Sequence, residues 1–90
     1  SWSLREAVTF DRYGTTSTNW DSYPILKFSE IPTVYIDLID NPKLPSLGAG
    51  EALHGPKPAA IANAIAHATG IRVQQIPLTS DATRRAGLQD

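Results

Sequence analysis

The chain is expected to fold as α+β, with a small mixed sheet and two helices. Three observations carry this expectation. Residues 33–39 (TVYIDLI) alternate, with Val34, Ile36 and Leu38 on one face and Thr33, Tyr35, Asp37 and Ile39 on the other; this is the period of a strand. From Lys57 or Pro58 to Thr69 the apolar positions Ile61, Ala62, Ile65, Ala66 and Thr69 recur at helical spacing, and Gly70 follows as a left-handed stop. Between and beyond them the order runs strand, strand, helix, strand, helix, without repeats or a linker.

The elements follow in order. Residues 4–10 (LREAVTF) are strand-compatible and end in the turn signal Asp11-Arg12-Tyr13-Gly14. The next five residues are polar loop, and 24–28 an extended connection. After the strand at 33–39, Asp40-Asn41-Pro42 stops the pairing and residues 42–50 form a proline- and glycine-rich loop. Pro58 suits the first turn of the following helix, where a missing N–H costs nothing. Alanines at 59, 60, 62, 64, 66 and 68 give that helix a surface for close packing. A third strand is expected at 71–78 (IRVQQIPL), with Ile71, Val73 and Gln75 on one face. Thr79 or Ser80 then caps a last helix from Asp81 to about Gly87, with Asp81 near its positive end and Arg84 and Arg85 further along.

Composition narrows the function classes. Ninety residues make at most one domain, or a piece of one. A chain of this size buries only about 60% of its unfolded surface, so the core is thin. It has no cysteine to supply a disulfide or a thiolate metal site. A net charge of -1 makes no case for nucleic acid or an anionic membrane. No apolar run approaches a membrane span, and no signal peptide opens the chain. The chain begins at Ser1 and contains no Met, which, with the thin core, leads to the expectation of a piece of a larger protein.

The candidate site is the loop Gly48-Ala49-Gly50-Glu51. Glycines at i and i+2 let the backbone take positive φ and approach a bulky partner. A carboxylate at the end of such a loop is placed for proton abstraction, for metal coordination or for capping the helix behind it. The loop is neither a P-loop, since no Gly-Lys-Ser/Thr follows, nor a Rossmann fingerprint, since the third glycine is absent. His54 could tune Glu51 or be solvated. His67 lies away from the Ile61–Ile65 stripe, and the two histidines have no third ligand at a helical interval, so no metal site is expected. Trp2, Trp20 and Tyr23 are expected as half-buried aromatics over the core, or facing a partner. Asp37 and Asp40 read as structural, and no serine–histidine elbow is present.

Residues 6–78 resemble the C-terminal end of the molybdenum-binding large subunit of the xanthine oxidase/aldehyde oxidase family. They are most similar to its isoquinoline 1-oxidoreductase and nicotinate dehydrogenase branch. The resemblance rests on EAVTFD at 6–11, NWDSYPIL at 19–26, FSEIP at 28–32, GAGE at 48–51, GP at 55–56, AAIANAI at 59–65, ATG at 68–70 and IPL at 76–78, in that order. It implies that residues 1–90 are the C-terminal segment of a molybdopterin-binding domain, with no internal boundary. It also implies that Glu51 is the active-site base, removing a proton from the hydroxyl that attacks an N-heteroaromatic ring or an aldehyde, with oxygen drawn from water. Gly48, Ala49 and Gly50 would lie beside the cofactor through their backbone.

The implied cofactor is a molybdopterin-type molybdenum centre, of the cytosine dinucleotide form, held mostly by segments outside this chain. 2Fe-2S clusters on a partner subunit or domain would take the electrons. The implied partners are the remainder of the large subunit, the iron–sulfur subunit and a small-molecule substrate. The compartment stays open between the cytoplasm and periplasm of a bacterium. One departure stands out: Ala52-Leu53-His54 follows the glutamate where many members carry proline. By itself the chain is expected to be inert. The alternative is a stand-alone α+β binding or interaction domain whose glycine loop contacts a ligand without chemistry.

Overall fold

A computed structural model describes residues 1–89. The fold is a small α+β arrangement of two helices and one two-stranded antiparallel ladder. The strands β1 (Phe10–Asp11) and β2 (Gly14–Thr15) pair Phe10 with Thr15 and Asp11 with Gly14. Asp11 Oδ1 accepts the N–H of Tyr13 at 2.8 Å, and Gly14 takes φ 134°, a value only glycine adopts without strain. The expected turn at 11–14 is therefore present.

Helix α1 (Pro56–Thr69) starts one or two residues earlier than its periodicity predicts, because Pro56 as well as Pro58 fits the first turn. It ends at Gly70, whose φ of 74° is left-handed and whose N–H donates to Ala66 O at 2.8 Å. A Cβ at Gly70 would meet nothing within 4 Å. The cost of Gly70→Ala is therefore purely conformational, about 1–2 kcal/mol. In the full-length protein it should speed limited tryptic cleavage after Arg72 by about 5- to 30-fold, and Gly70→Asn should do so less. Helix α2 (Ser80–Gln89) is capped by Thr79, whose Oγ1 accepts the Ala82 N–H at 3.0 Å. Asp81 pairs with Arg85 at 2.9 Å and with Arg84 at 3.9 Å along its exposed face.

Between the helices, residues 71–78 form an irregular strap rather than the expected strand. Val73 and Leu78 are buried with Ala82, and Leu4, Ile61, Ala62, Ile65, Ile71 and Ala86 pack around them. Gln75, expected on the inner face, is exposed. Among the described residues no strand lies alongside to receive the strap's N–H and C=O groups; Leu78 N–H instead donates to Ser3 O at 2.7 Å. The Ile76–Pro77 peptide is cis.

The other two expected strands are also corrected. Residues 1–6 coil into a turn in which Ser1 O accepts the N–H groups of Leu4, Arg5 and Glu6. That turn is the organising piece of the fold. It buries Ser3 at 1% exposure, reaches the strap through Ser3 O, and reaches residues 26–30 through Ser1 Oγ to Leu26 N and an Arg5–Glu30 ion pair. Residues 33–39 run without helix, turn or bend and are unpaired among the described residues, so the mixed sheet is replaced by the short antiparallel hairpin. A strand is completed by hydrogen bonds to a neighbour, and among the described residues nothing flanks this one.

Every residue from 31 to 56 is exposed. The chain's radius of gyration is 16.6 Å, against about 12 Å for a compact domain of this length. Its accessible area is 7878 Å², against about 5,100 Å² for a compact monomer of 9.7 kDa. Of the aromatics expected half-buried over the core or facing a partner, Trp2 and Tyr23 are half-buried, whereas Trp20 is 74% exposed and does not cover the core.

Candidate functional site

Two prolines and two glycines keep residues 42–50 from joining either a helix or a ladder, and a turn bond runs from Leu44 N–H to Asn41 O at 3.1 Å. The loop then closes into a 3-10 turn, Glu51–Leu53, with Leu53 N–H on Gly50 O at 3.3 Å and His54 N–H on Glu51 O at 3.1 Å. Helix α1 begins immediately after Gly55. Glu51 is thus held by a short helical turn set against the N-terminal end of α1.

The expected use of glycine is corrected here. Gly50 has φ -61° and ψ -54°, and positive φ occurs only at Gly14 and Gly70 among the described glycines. The loop enters a right-handed turn, which any residue can adopt, so left-handed freedom is not what Gly48 and Gly50 contribute. A Cβ at either would meet nothing within 4 Å. Their remaining distinction is a bare backbone facing open space, which permits close approach by a large group.

The Glu51 side chain is exposed and enters no ion pair among the described residues. Among the described residues its side chain makes no hydrogen bond, and neither the Gly50 nor the Gly55 cap position carries a side-chain cap bond. His54, one turn on, packs the edge of its ring against Trp2, with centroids 5.3 Å apart and planes at 76°. Lys57 Nζ lies 4.2 Å over the same indole. The three side chains tie the 1–6 turn to the start of α1, and a shallow hollow of about 240 Å³ lies at Trp2 and His54. His67 is exposed in the last turn of α1. Asp37 and Asp40 are exposed on and just after the unpaired segment.

Behind this cluster Tyr23 Oη donates to Glu6 Oε1 at 2.8 Å. The Ser1 side chain first, and then the Tyr23 phenol, hold Glu6 below the ordinary glutamate range, with Lys57 a lesser contributor. The same contact pushes Tyr23 above the ordinary tyrosine value. A lowered carboxylate contributes stability above its unfolded value and loses it as pH falls through its folded value. A raised phenol contributes below its unfolded value and loses it as pH rises through its folded value. Docking of residues 1–6 on 23–30 should therefore loosen at both the acid and the alkaline extreme. Tyr23→Phe should remove the alkaline limb and shrink, without abolishing, the acid limb that the Ser1 contact still supports, as read by amide exchange of residues 4–6 against pH.

A cavity of about 330 Å³ lies against the strap and α2, lined by Arg72, Val73, Gln74, Gln75, Arg85 and their neighbours, and includes none of the loop residues. Among the described residues no group of three or more His, Cys, Asp or Glu side chains could hold a metal ion. No described helix is long and apolar enough to cross a membrane. The 1–6 turn was not legible as part of the site, since contacts to a carbonyl and a hydroxyl across 25 or 75 positions leave no periodic mark.

Fold and site together define a small α+β segment that presents one carboxylate on an open, glycine-flanked loop. The chain is similar to a nicotinate dehydrogenase subunit from Pseudomonas putida, at 41% identity over 83 residues. That match covers 92% of this chain and 7% of the relative, so the chain spans a small part of the curated protein it resembles. No protein-family model matches the chain, and no solved structure matches it.

Proposed function

We propose that this chain is the C-terminal segment of the large subunit of a molybdenum hydroxylase, acting on an N-heteroaromatic substrate of the nicotinate type. In this role Glu51 is the general base. The observation that carries the proposal is the placement of Glu51: an exposed, uncommitted carboxylate in an open loop, within a chain similar over 83 residues to a dehydrogenase subunit. A molybdopterin-type cofactor fits the loop on one count, since open space faces the backbone of Gly48 and Gly50. It fits as one wall only, because the other walls and any cluster-binding cysteines lie outside this chain.

When bound, the molybdenum centre would supply the two-electron oxidant for hydroxylation with water-derived oxygen. The work left to this chain is local. Gly48, Ala49 and Gly50 let the backbone come close, and the 3-10 turn holds Glu51 at a set position. One carboxylate oxygen of Glu51 accepts the proton as the new carbon–oxygen bond forms, a task that requires a carboxylate within hydrogen-bond reach. The open surface at 31–56 favours this role over a stand-alone binding domain, which would have to carry those apolar side chains in water.

The test is the purified assembly containing this chain. Nicotinate-dependent dye reduction, molybdenum in the protein and labelled oxygen from water in the product are expected together. An assembly without molybdenum, or one that takes the label from dioxygen, overturns the proposal.

A further inference from the structure

Residues 33–39 carry a feature that Glu51 chemistry does not use. They run without helix, turn or bend, and no hydrogen bond joins residues 32–40 to any other described residue. Val34, Ile36 and Leu38 share one face and are 66%, 77% and 90% exposed, while Tyr35 and Ile39 stand with Thr33 and Asp37 on the other. A segment with both backbone edges open and one wholly apolar face is a template for pairing: its N–H and C=O groups are free to take a neighbouring strand, and its apolar side chains lack cover.

We infer that residues 33–39 are a strand supplied to a β-sheet of the remaining body of the same subunit, pairing along an open edge of that sheet. Val34, Ile36 and Leu38 turn into the core beneath. This rests on the proposal that the chain is part of a larger subunit. Two quantities name the occupant. The aligned segment is 7% of the Pseudomonas putida relative, so more than nine-tenths of such a subunit lies outside it. The chain also exposes, at 7878 Å², about 2,800 Å² more than a compact monomer of its mass. That excess is several times the roughly 800 Å² one partner contributes to a standard interface, and is the scale of a permanent interface within one subunit. Pairing by backbone with alternate side chains in pockets is the established physics of strand addition.

The alternation separates strand addition from mere apolar contact, because charge should be tolerated on one face only. In the full-length subunit within its assembly, backbone amides of 33–39 should exchange at least about 100-fold more slowly than those of the 42–47 loop. Ile36→Asp and Leu38→Asp should each lower the yield of soluble assembly by about tenfold or more, while Asp37→Lys and Thr33→Lys leave it within about twofold. Exchange of 33–39 at the loop's rate overturns the inference, as does equal damage from both faces. Protection that disappears when the assembly is diluted to single subunits would assign the edge to a second copy, and overturns it too. The exchange experiment on the unaltered protein decides the matter even if the aspartate variants fail to fold. Molybdenum and hydroxylation with free exchange at 33–39 would remove this inference and leave the function standing; protection without molybdenum would do the reverse.

Discussion

With Glu51 as the proposed base, Glu51→Gln in the assembly should lower turnover by about 10²- to 10⁴-fold while molybdenum content stays near that of the unaltered protein. Glutamine keeps the shape and polarity of the side chain and removes its capacity to accept the proton. Glu51 pairs with no cation among the described residues, and its side chain is exposed. Its neutralisation therefore leaves no charge unpaired and should not disturb the fold, so the loss should be one of chemistry. At about 1.4 kcal/mol per tenfold, the barrier should rise by about 3–5 kcal/mol. The fall should appear in kcat, with KM little altered, as expected for an interaction made only in the transition state. Near-normal turnover by the glutamine variant would mean that Glu51 is not the base. Loss of molybdenum alongside activity would instead make the loop a structural wall.

The second large effect is on the core. Leu78 is 6% exposed and, with Val73 and Ala82, forms the buried centre against which α1 and α2 pack. Leu78→Ala should cost about 2–5 kcal/mol, the removed transfer energy plus the cavity left behind. With three residues at the centre of the cluster, little else can collapse into the gap. The backbone bond from Leu78 N–H to Ser3 O survives the change, so the effect isolates the side chain. Opening of the α1–strap–α2 unit would then be at least about 30-fold more frequent. In the full-length subunit, limited trypsin should cut after Arg72, Arg84 or Arg85 faster by that factor. Cleavage at the unaltered rate would show that the rest of the subunit, and not this cluster, holds the helices.

The 1–6 turn links the two effects. Through Trp2 it touches His54 and Lys57 behind the glutamate, and through Ser3 it receives the Leu78 N–H that pins the strap. Loss of the core should thus reach Glu51 by way of the first turn of α1, as a loosening of position more than a change in charge. Leu78→Ala should therefore also lower turnover, by less than Glu51→Gln, because a misplaced base still accepts protons in part of the population.

What could be read from the sequence is unequal across the chain. Helix α1 with its stop at Gly70, the Thr79 cap of α2, the turn at 11–14 and the loop carrying Glu51 were all legible. Each depends on groups within four or five positions of one another. The strands at 4–10, 33–39 and 71–78 were not, although their residues have the right pattern. Leu4 is drawn into a turn by Ser1 O, and Leu78 is taken by Ser3 O. Residues 33–39 find no partner among the described residues, with Leu38 90% exposed.

By itself, then, the sequence determined the two helices with the Gly70 stop and the Thr79 cap, though not the first residue of α1 or the last of α2, together with the proline- and glycine-rich approach to Glu51 and the α+β class. Only the tertiary structure decided that the chain enters the Glu51 turn through right-handed backbone at Gly50, that Ser3 is buried, that Trp20 is not, and that the apolar strand at 33–39 stands unpaired. The physical reason is the reach of the hydrogen bond that completes each element. A helix closes its bonds at i and i−4 within itself, whereas a strand is finished only by a neighbour whose position no local pattern records.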